Sequence, residues 1–327
     1  MANHEQPMNS PAVSVVLPIF EEAITIQTLI PDIVQTLEEE EISFEIIAVD
    51  DGSSDDTAQV LGQLKVNHPH VLRVVRHVYN KGNGAALRTG TRVARGEVVL
   101  YMDSDGQHIP SEIPKVLSKI PPYDLVIGSR TKDYRGGWLR RLANGFYNKF
   151  ATWLTSTQVS DLTSGFRALR RSVADHFLHL YPSGFSAPTT ITLTCLKAGY
   201  NVAFTPVQVD PRKAGKSKIR IWNDGTRFVI IILRMIMLYD PLRIFLPVGI
   251  VLSILGIWAW LAGLLQAQRL VFPNSAIFLF IAAILTWLLG LVSGQIANSR
   301  IYYHGDETIM VDDLPYESEG IEREIEK

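Results

Sequence analysis

A single cysteine, Cys195, excludes any disulfide within the chain and fits a reducing compartment. Charge of one sign is missing too: 31 Lys and Arg against 33 Asp and Glu leave a net charge of −2. Without a global basic field, no nucleic acid partner is expected. No G-x-G-x-x-G follows the first apolar run, which speaks against a dinucleotide-dependent oxidoreductase. The stretch N-K-G-N-G at 80–84 lacks the G-K-[ST] of a Walker loop, although its glycines allow a ligand, or simply a turn, to come close. Residues 1–11 are polar and carry no apolar h-region, so a signal peptide is not expected. There is no internal repeat and no low-complexity tract.

What is present is apolar and unevenly distributed. Hydrophobic residues make up 47% of the chain and charged residues 20%, which excludes wholesale disorder. Residues 244–265 and 276–297 contain no charged side chain at all. A bilayer core takes about 20 helical residues, so both stretches are expected to span a membrane as a hairpin. Lys213, Lys216, Lys218, Arg220, Arg227, Arg234 and Arg243 precede the first span, and Arg300 follows the second. The connecting loop 266–275 has only Arg269. This asymmetry predicts an inner-membrane protein with both termini and the N-terminal domain in the cytoplasm. Arg220, Arg227 and Arg234 are seven apart on a strongly apolar stretch, the pattern of an interfacial helix facing anionic headgroups or, alternatively, of one more core helix. The expected organisation is a tail (1–11), an α/β domain (12–219), a juxtamembrane helix (220–240), two spans (241–299) and a cytoplasmic tail (300–327).

Within 12–219, strand and helix patterns alternate. Strands are expected at 13–18, 44–50, 71–76, 97–103, 124–129, 166–169 and 202–209, and helices at 24–41, 55–66, 84–95 and 191–199. Such alternation predicts a mostly parallel sheet covered by helices on both faces. Ligands of these sheets bind beyond the carboxyl ends of the strands. Asp50, Asp51, Asp103 and Asp105 all fall there.

Asp103-Ser104-Asp105 can offer two carboxylates to one hard cation, with the Gln107 amide oxygen as a third ligand and positions left for phosphate oxygens. An isolated D-x-D is also what a solvated turn or a helix cap looks like. Asp50, at a strand tip, can accept hydrogen bonds from a ribose or a base. Ser54 or Asp55 can cap the following helix, and Glu22 suits a helix N-terminus. Asp161 suits a structural cap for the turn at Thr163 and Ser164. Arg167 reads as a structural arginine with an internal carboxylate partner.

Together, residues 18–22, 49–57, 80–90, 102–108, 127–130 and 161–170 make the chain resemble the family-2 inverting glycosyltransferases, whose nucleotide-binding domain has the GT-A fold. The run Asp161-Leu162-Thr163-Ser164-Gly165-Phe166-Arg167, the pair Arg212 and Lys218, and the two spans resemble the polyprenyl-phosphate and dolichol-phosphate branch. Phe20 stands where that family frequently has tyrosine, and Glu21 where it often has asparagine. The resemblance implies that Pro18, Phe20 and Glu22 line a base pocket with Ala48 and Asp50. It implies that Asp103, Ser104 and Asp105 meet the diphosphate, and that Asp103, Asp105 and Gln107 hold Mg2+ or Mn2+. Arg130, Arg212 and Lys218 would contact phosphates, and Asp161 would lie near sugar and acceptor. The implied reaction moves one sugar from a GDP- or UDP-linked donor to polyprenyl phosphate, with Asp161, Asp105, Arg212 and Lys218 as catalytic residues. Another membrane lipid as acceptor, or a non-catalytic nucleotide-sugar binding protein, are the alternatives. A processive polysaccharide synthase would need more spans and a Q-x-x-R-W motif, and neither is present. A homo-oligomer is compatible with all of this.

The charge asymmetry makes a topology prediction. A cysteine introduced into 266–275 should react with an impermeant thiol reagent from outside intact cells, and one placed after Arg300 should not. The reverse labelling pattern would overturn the orientation.

Overall fold

The computed structural model describes residues 11–130, 145, 148–149, 151–182, 187–210, 237, 239–267 and 272–300. The described residues fall into two compact units, one before residue 217 and one within 217–303. The expected interfacial helix and the loop carrying Arg212 and Lys218 lie outside the described residues.

The first unit contains β1 (Val13–Ile19), α1 (Ala23–Glu39), β2 (Phe44–Asp50), α2 (Thr57–Asn67), β3 (Leu72–Arg76), α3 (Asn83–Val93) and β4 (Val98–Tyr101). These are followed by α4 (Ile113–Leu117), β5 (Leu125–Arg130), β6 (Arg167–Arg170), α5 (Arg171–Phe177), α6 (Ala187–Lys197) and β7 (Val202–Val207). The strands form one seven-stranded sheet in the order β3-β2-β1-β4-β6-β5-β7. Every pairing is parallel except the two made by β6. The chain therefore turns back on itself between β1 and β4, the topological switch point where such sheets open a crevice.

The sheet is covered on both faces. Ile26, Leu29, Ile30, Ile33 and Leu37 of α1 pack with Val15, Leu17, Ile46 and Leu100 in one core cluster, each such side chain contributing about 1.5–3 kcal/mol on burial. On the other face α3 comes close through small residues: a Cβ at Gly90 would overlap Val16 Cγ1. Glu45, a carboxylate buried near the amino end of β2, is matched by Arg73 at 2.7 Å, the Ser14 hydroxyl at 2.8 Å and the Arg95 amide at 2.6 Å.

The expected strands are present with shifts of a residue or two, β4 and β7 being shorter than their apolar runs. Helix α6 starts four residues earlier than the expected 191, because Thr189 and Thr190 are buried and continue its packed surface. Helices α4 and α5 were not expected. Both are too short, with 5 and 7 residues, to show a helical period.

The second unit contains α7 (Leu242–Ala267) and α8 (Asn274–Arg300), each long and apolar enough to cross a membrane and mostly exposed along its length. Gly249, Gly256 and Gly263 lie seven apart on α7 and face Trp287, Phe280 and Pro273. In return, Gly290 of α8 faces Phe245, whose Cβ would lie 2.6 Å from an added Cβ.

Gly62, in α2, has nothing within 4 Å of an added Cβ. Gly62→Ala should raise the stability of the α/β domain by roughly 0.5–1 kcal/mol, and Gly90→Ala should lower it. Chemical denaturation of the two variants checks this, and the opposite order would contradict the packing of α3.

Candidate active site

The first four strands end at one edge, and the turns beyond them are held together by hydrogen bonds between strand tips. The Ser104 hydroxyl donates to the Pro18 carbonyl at 2.7 Å, joining β4 to β1 across the switch point. Asp51 N donates to Ile19 O at 2.8 Å, joining β2 to β1. His77 N donates to Asp50 O at 2.8 Å, joining β3 to β2. Ser104 thus has a structural bond besides the diphosphate role expected of it.

Asp50 is fully buried at the end of β2. Its Oδ1 accepts from Ser53 N at 2.9 Å, and its Oδ2 lies 3.1 Å from Arg76 Nε without hydrogen-bond alignment. A buried carboxylate oxygen lacking a hydrogen bond is costly and is suited to accept one from a ligand. Ala48 sits one pleat below Asp50 on the same face and belongs to the core cluster, so it underlies the pocket instead of forming its rim. Pro18 is buried, whereas Phe20 and Glu22 are half-buried at the edge. Glu22 is tied down through its amide to Thr57 Oγ1 at 3.2 Å and through its carboxylate to the Thr25 hydroxyl at 3.0 Å. Glu21 adopts a left-handed backbone, φ 56°, a conformation in which asparagine is favoured over glutamate.

Asp51 does something the sequence did not disclose. It accepts from Lys81 N at 2.9 Å and Gly82 N at 2.7 Å, and contacts His77 Nδ1 at 2.6 Å. His77 Nε2 in turn meets Thr89 Oγ1 at 2.9 Å. The glycine-containing loop at 80–84 therefore spends two backbone donors on the protein's own carboxylate. Beneath it, Gly52 (φ 75°) passes so close that an added Cβ would lie 2.5 Å from the Tyr79 carbonyl carbon.

At the tip of β4, the Asp103 side chain is 38% exposed. One of its flanks rests directly on Gly165, where any Cβ would overlap the carboxylate. Asp105 Oδ1 accepts from Gln107 N at 3.2 Å, closing an Asx turn. Among the described residues no three His, Cys, Asp or Glu side chains group to hold a metal ion. Two carboxylates and an amide oxygen on one turn are nevertheless a hard-oxygen set, and the cradle at Gly165 leaves room for Asp103 to face outward. Those residues fit a divalent cation that completes its coordination with a ligand's oxygens.

Arg130, at the tip of β5, forms a bidentate pair with Asp161: Nε to Oδ2 at 2.8 Å and Nη2 to Oδ1 at 2.9 Å. Arg130 N and Thr163 N add bonds of 3.2 Å each to the same carboxylate. Burial works to raise the Asp161 pKa, but the bonds and charge of Arg130 hold it below the usual carboxylate range. Assigned separately from the sequence, one to phosphates and one to the sugar, these two residues form a single unit. Asp161 also accepts from Thr163 N, the bond that a cap of that turn makes. Arg167 is fully buried and, among the described residues, has no carboxylate in hydrogen-bond contact. It donates to Pro188 O at 2.6 Å, to Thr192 Oγ1 at 3.0 Å and to Ser164 O. Burial pushes its pKa down to about 10, with Asp161 and Asp103 among the groups that oppose the shift.

Comparison with known proteins bears on the fold and on the C-terminal helices. The model of the family described as Glycosyl transferase family 2 matches residues 14–178, and that of the GtrB C-terminal hairpin matches residues 240–299. An undecaprenyl-phosphate 4-deoxy-4-formamido-L-arabinose transferase of Proteus mirabilis is 27% identical, over 88% of this chain and 89% of its own. Its counterpart from Sodalis glossinidius is also 27% identical, over 76% of this chain and 75% of its own. Among solved structures, glucosyl-3-phosphoglycerate synthase of Mycobacterium tuberculosis, crystallised with Mn2+, UDP and phosphoglyceric acid, superposes with a TM-score of 0.54. It is 22% identical, over 69% of this chain and 78% of its own, and the likeness identifies the fold as GT-A-like.

The Arg130–Asp161 pair makes a test. Asp161→Asn should cost roughly 2 kcal/mol of stability, because charge-assisted bonds are lost and Arg130 is left under-compensated. Adding Arg130→Met should recover part of that loss. Additive losses in a double-mutant cycle would show that the two side chains do not interact.

Proposed function

We propose, since the chain belongs to glycosyl transferase family 2, that it moves one sugar from a GDP- or UDP-linked donor to polyprenyl phosphate with inversion at the anomeric carbon. The observation that carries this reading is the presence, in one chain, of the Asp103–Asp105 turn at a switch point and of a two-helix apolar hairpin. Relatives named as undecaprenyl-phosphate sugar transferases, matched over most of both chains, support the acceptor. The protein is a membrane glycosyltransferase. We place its catalytic domain and both termini on the cytoplasmic side of the inner membrane, where nucleotide sugars are made.

Each residue's work follows from its position. Asp50, backed by Arg76, grips the base or ribose, with Pro18, Phe20 and Glu22 as the wall above Ala48. Asp103, Asp105 and Gln107 would hold Mg2+ or Mn2+, which when bound offsets the charge of the diphosphate. The structural neighbour with Mn2+ and UDP supports that assignment. Ser104 keeps the β4 tip against β1. Arg212 and Lys218, outside the described residues, have the chemistry to clamp the leaving diphosphate. A phosphate acceptor is already an oxyanion near neutral pH, so no strong base is needed. Asp161 suits that chemistry. Paired to Arg130 and lowered in pKa, it is a fixed anion that orients Arg130 and the acceptor side of the site, and it is a poor proton acceptor.

Purified protein in detergent, given polyprenyl phosphate and a panel of radiolabelled UDP- and GDP-sugars, should yield a lipid-linked product labile to mild acid. Asp105→Ala should reduce turnover at least roughly 100-fold, and excess chelator should abolish it. Full activity in chelator would overturn the cation, and an acid-stable product would overturn the phosphate acceptor.

A further inference from the structure

His108 follows the Asp103–Gln107 turn and is only 7% exposed. Its ring stacks on Phe166, with centroids 5.2 Å apart and planes inclined by 26°. Its backbone pairs with Val209, and the neighbouring Gln107 carbonyl accepts from Asp210 N at 2.8 Å. The ring is thus held by a stack on one side and a bridge at its base. Within it, Nδ1 is enclosed and has no hydrogen-bond partner, while Nε2 lies 4.0 Å from Asp103 Oδ2.

A neutral imidazole has one donor and one acceptor nitrogen, and the surroundings choose which is which. A proton on Nδ1 would be a buried donor with nothing to receive it. A proton on Nε2 points at a carboxylate oxygen. A neutral ring held in this way has Nε2–H as the one donor that faces a partner, Asp103. The present 4.0 Å separation is longer than a hydrogen bond. A charge-assisted bond needs about 2.8 Å, so the proposed contact requires the carboxylate and the ring to approach by roughly 1 Å.

We infer that His108 is a positioning residue for Asp103: its Nε2–H donates to Asp103 Oδ2 and fixes the orientation in which the carboxylate meets the divalent cation. Phe166 and Gly165 complete the device. Gly165 lets Asp103 rest on the chain, and the next residue, Phe166, carries the ring that keeps His108 in plane. The turn expected to hold a cation is thereby braced by a segment about 60 residues further along the chain. Outer-shell partners of this kind typically contribute about 10- to 100-fold in metal affinity.

The inference rests on the reading of Asp103 as a cation ligand, and its test separates the two. Mn2+ binding is measured by electron paramagnetic resonance on the full-length protein in detergent, with UDP or GDP and without acceptor. Glutamine reproduces the reach of Nε2, asparagine that of Nδ1, and phenylalanine keeps the stack without any donor. His108→Gln should bind Mn2+ within about threefold of wild type, whereas His108→Asn and His108→Phe should be weakened about 10- to 100-fold. In turnover assays the same two variants should need more Mn2+ for half-saturation yet approach the wild-type kcat at saturating Mn2+. Thermal unfolding without metal reports on folding, and the Gln-against-Asn comparison stands even if the phenylalanine variant does not fold. Equal affinity in all variants, or His108→Gln as weak as His108→Asn, would overturn the positioning role while leaving the cation site intact. No Mn2+ binding by wild type with either nucleotide would remove the underlying reading together with it.

Discussion

A sheet covered by helices on both faces leaves a carboxylate almost nowhere to go except the strand ends. An uncompensated charge in the body of such a sheet costs several kcal/mol, and the chain obeys that limit closely. Asp50, Asp103 and Arg130 are at carboxyl tips. Glu45 enters the interior near the amino end and is surrounded by Ser14, Arg73 and the Arg95 amide. Arg167 stands apart, fully buried, with its terminal nitrogens donating to carbonyl oxygens and a threonine and its Nε left without a partner. The location of the charged edge thus follows from solvation before any ligand is considered.

Putting charges at the tips creates a second requirement, because the turns there have no ladder to hold them. Short side chains supply the bracing. Ser104 ties β4 to β1, Asp51 gathers the backbone of residues 81 and 82, and Asp161 fastens Arg130 to the turn at Thr163. Two glycines, Gly52 and Gly165, let neighbouring turns come closer than any side chain allows. Some polar residues of the motifs therefore hold the turns, while others keep an oxygen without a hydrogen bond or a face in solvent. The adjacent pair Asp50 and Asp51 illustrates the division: one carboxylate has an oxygen without a hydrogen bond, and the other is fully engaged.

This division explains what could be read from sequence. The strand at 44–50 matches its expectation residue for residue, because its apolar run ends abruptly in charge. Helix α2 begins two residues after its expected start, since Asp55 uses its carboxylate on Thr57 N at 3.1 Å and stays outside the helix. Strand β6 is displaced by one residue, and it pairs antiparallel to both neighbours, which no local pattern reveals. Within the candidate site, the shared turn of Asp103 and Asp105 beyond β4 was legible, because both follow the end of one apolar run. The union of Arg130 with Asp161, and the stack of His108 on Phe166, were not. Each joins residues tens of positions apart, and periodicity says nothing about contacts across a sheet. Arg212 and Lys218 rest on the family resemblance alone, since they lie outside the described residues.

The hairpin follows a different rule from the domain that precedes it. Lipid is as apolar as leucine, so two spans gain nothing from simply touching. Here notches at Gly249, Gly256 and Gly263 receive Trp287, Phe280 and Pro273, and Gly290 receives Phe245. Bulky groups seated at four separate depths act as the teeth of a key. Sliding one helix past the other by a turn would drive an indole or a phenyl ring into backbone. The two spans consequently behave as a single plank of fixed register, and all five of their glycines are used up on the inner seam. What remains for the surrounding bilayer is an outer surface of large aliphatic and aromatic side chains. It is good at staying in lipid, and it offers no glycine notch into which another helix could lock.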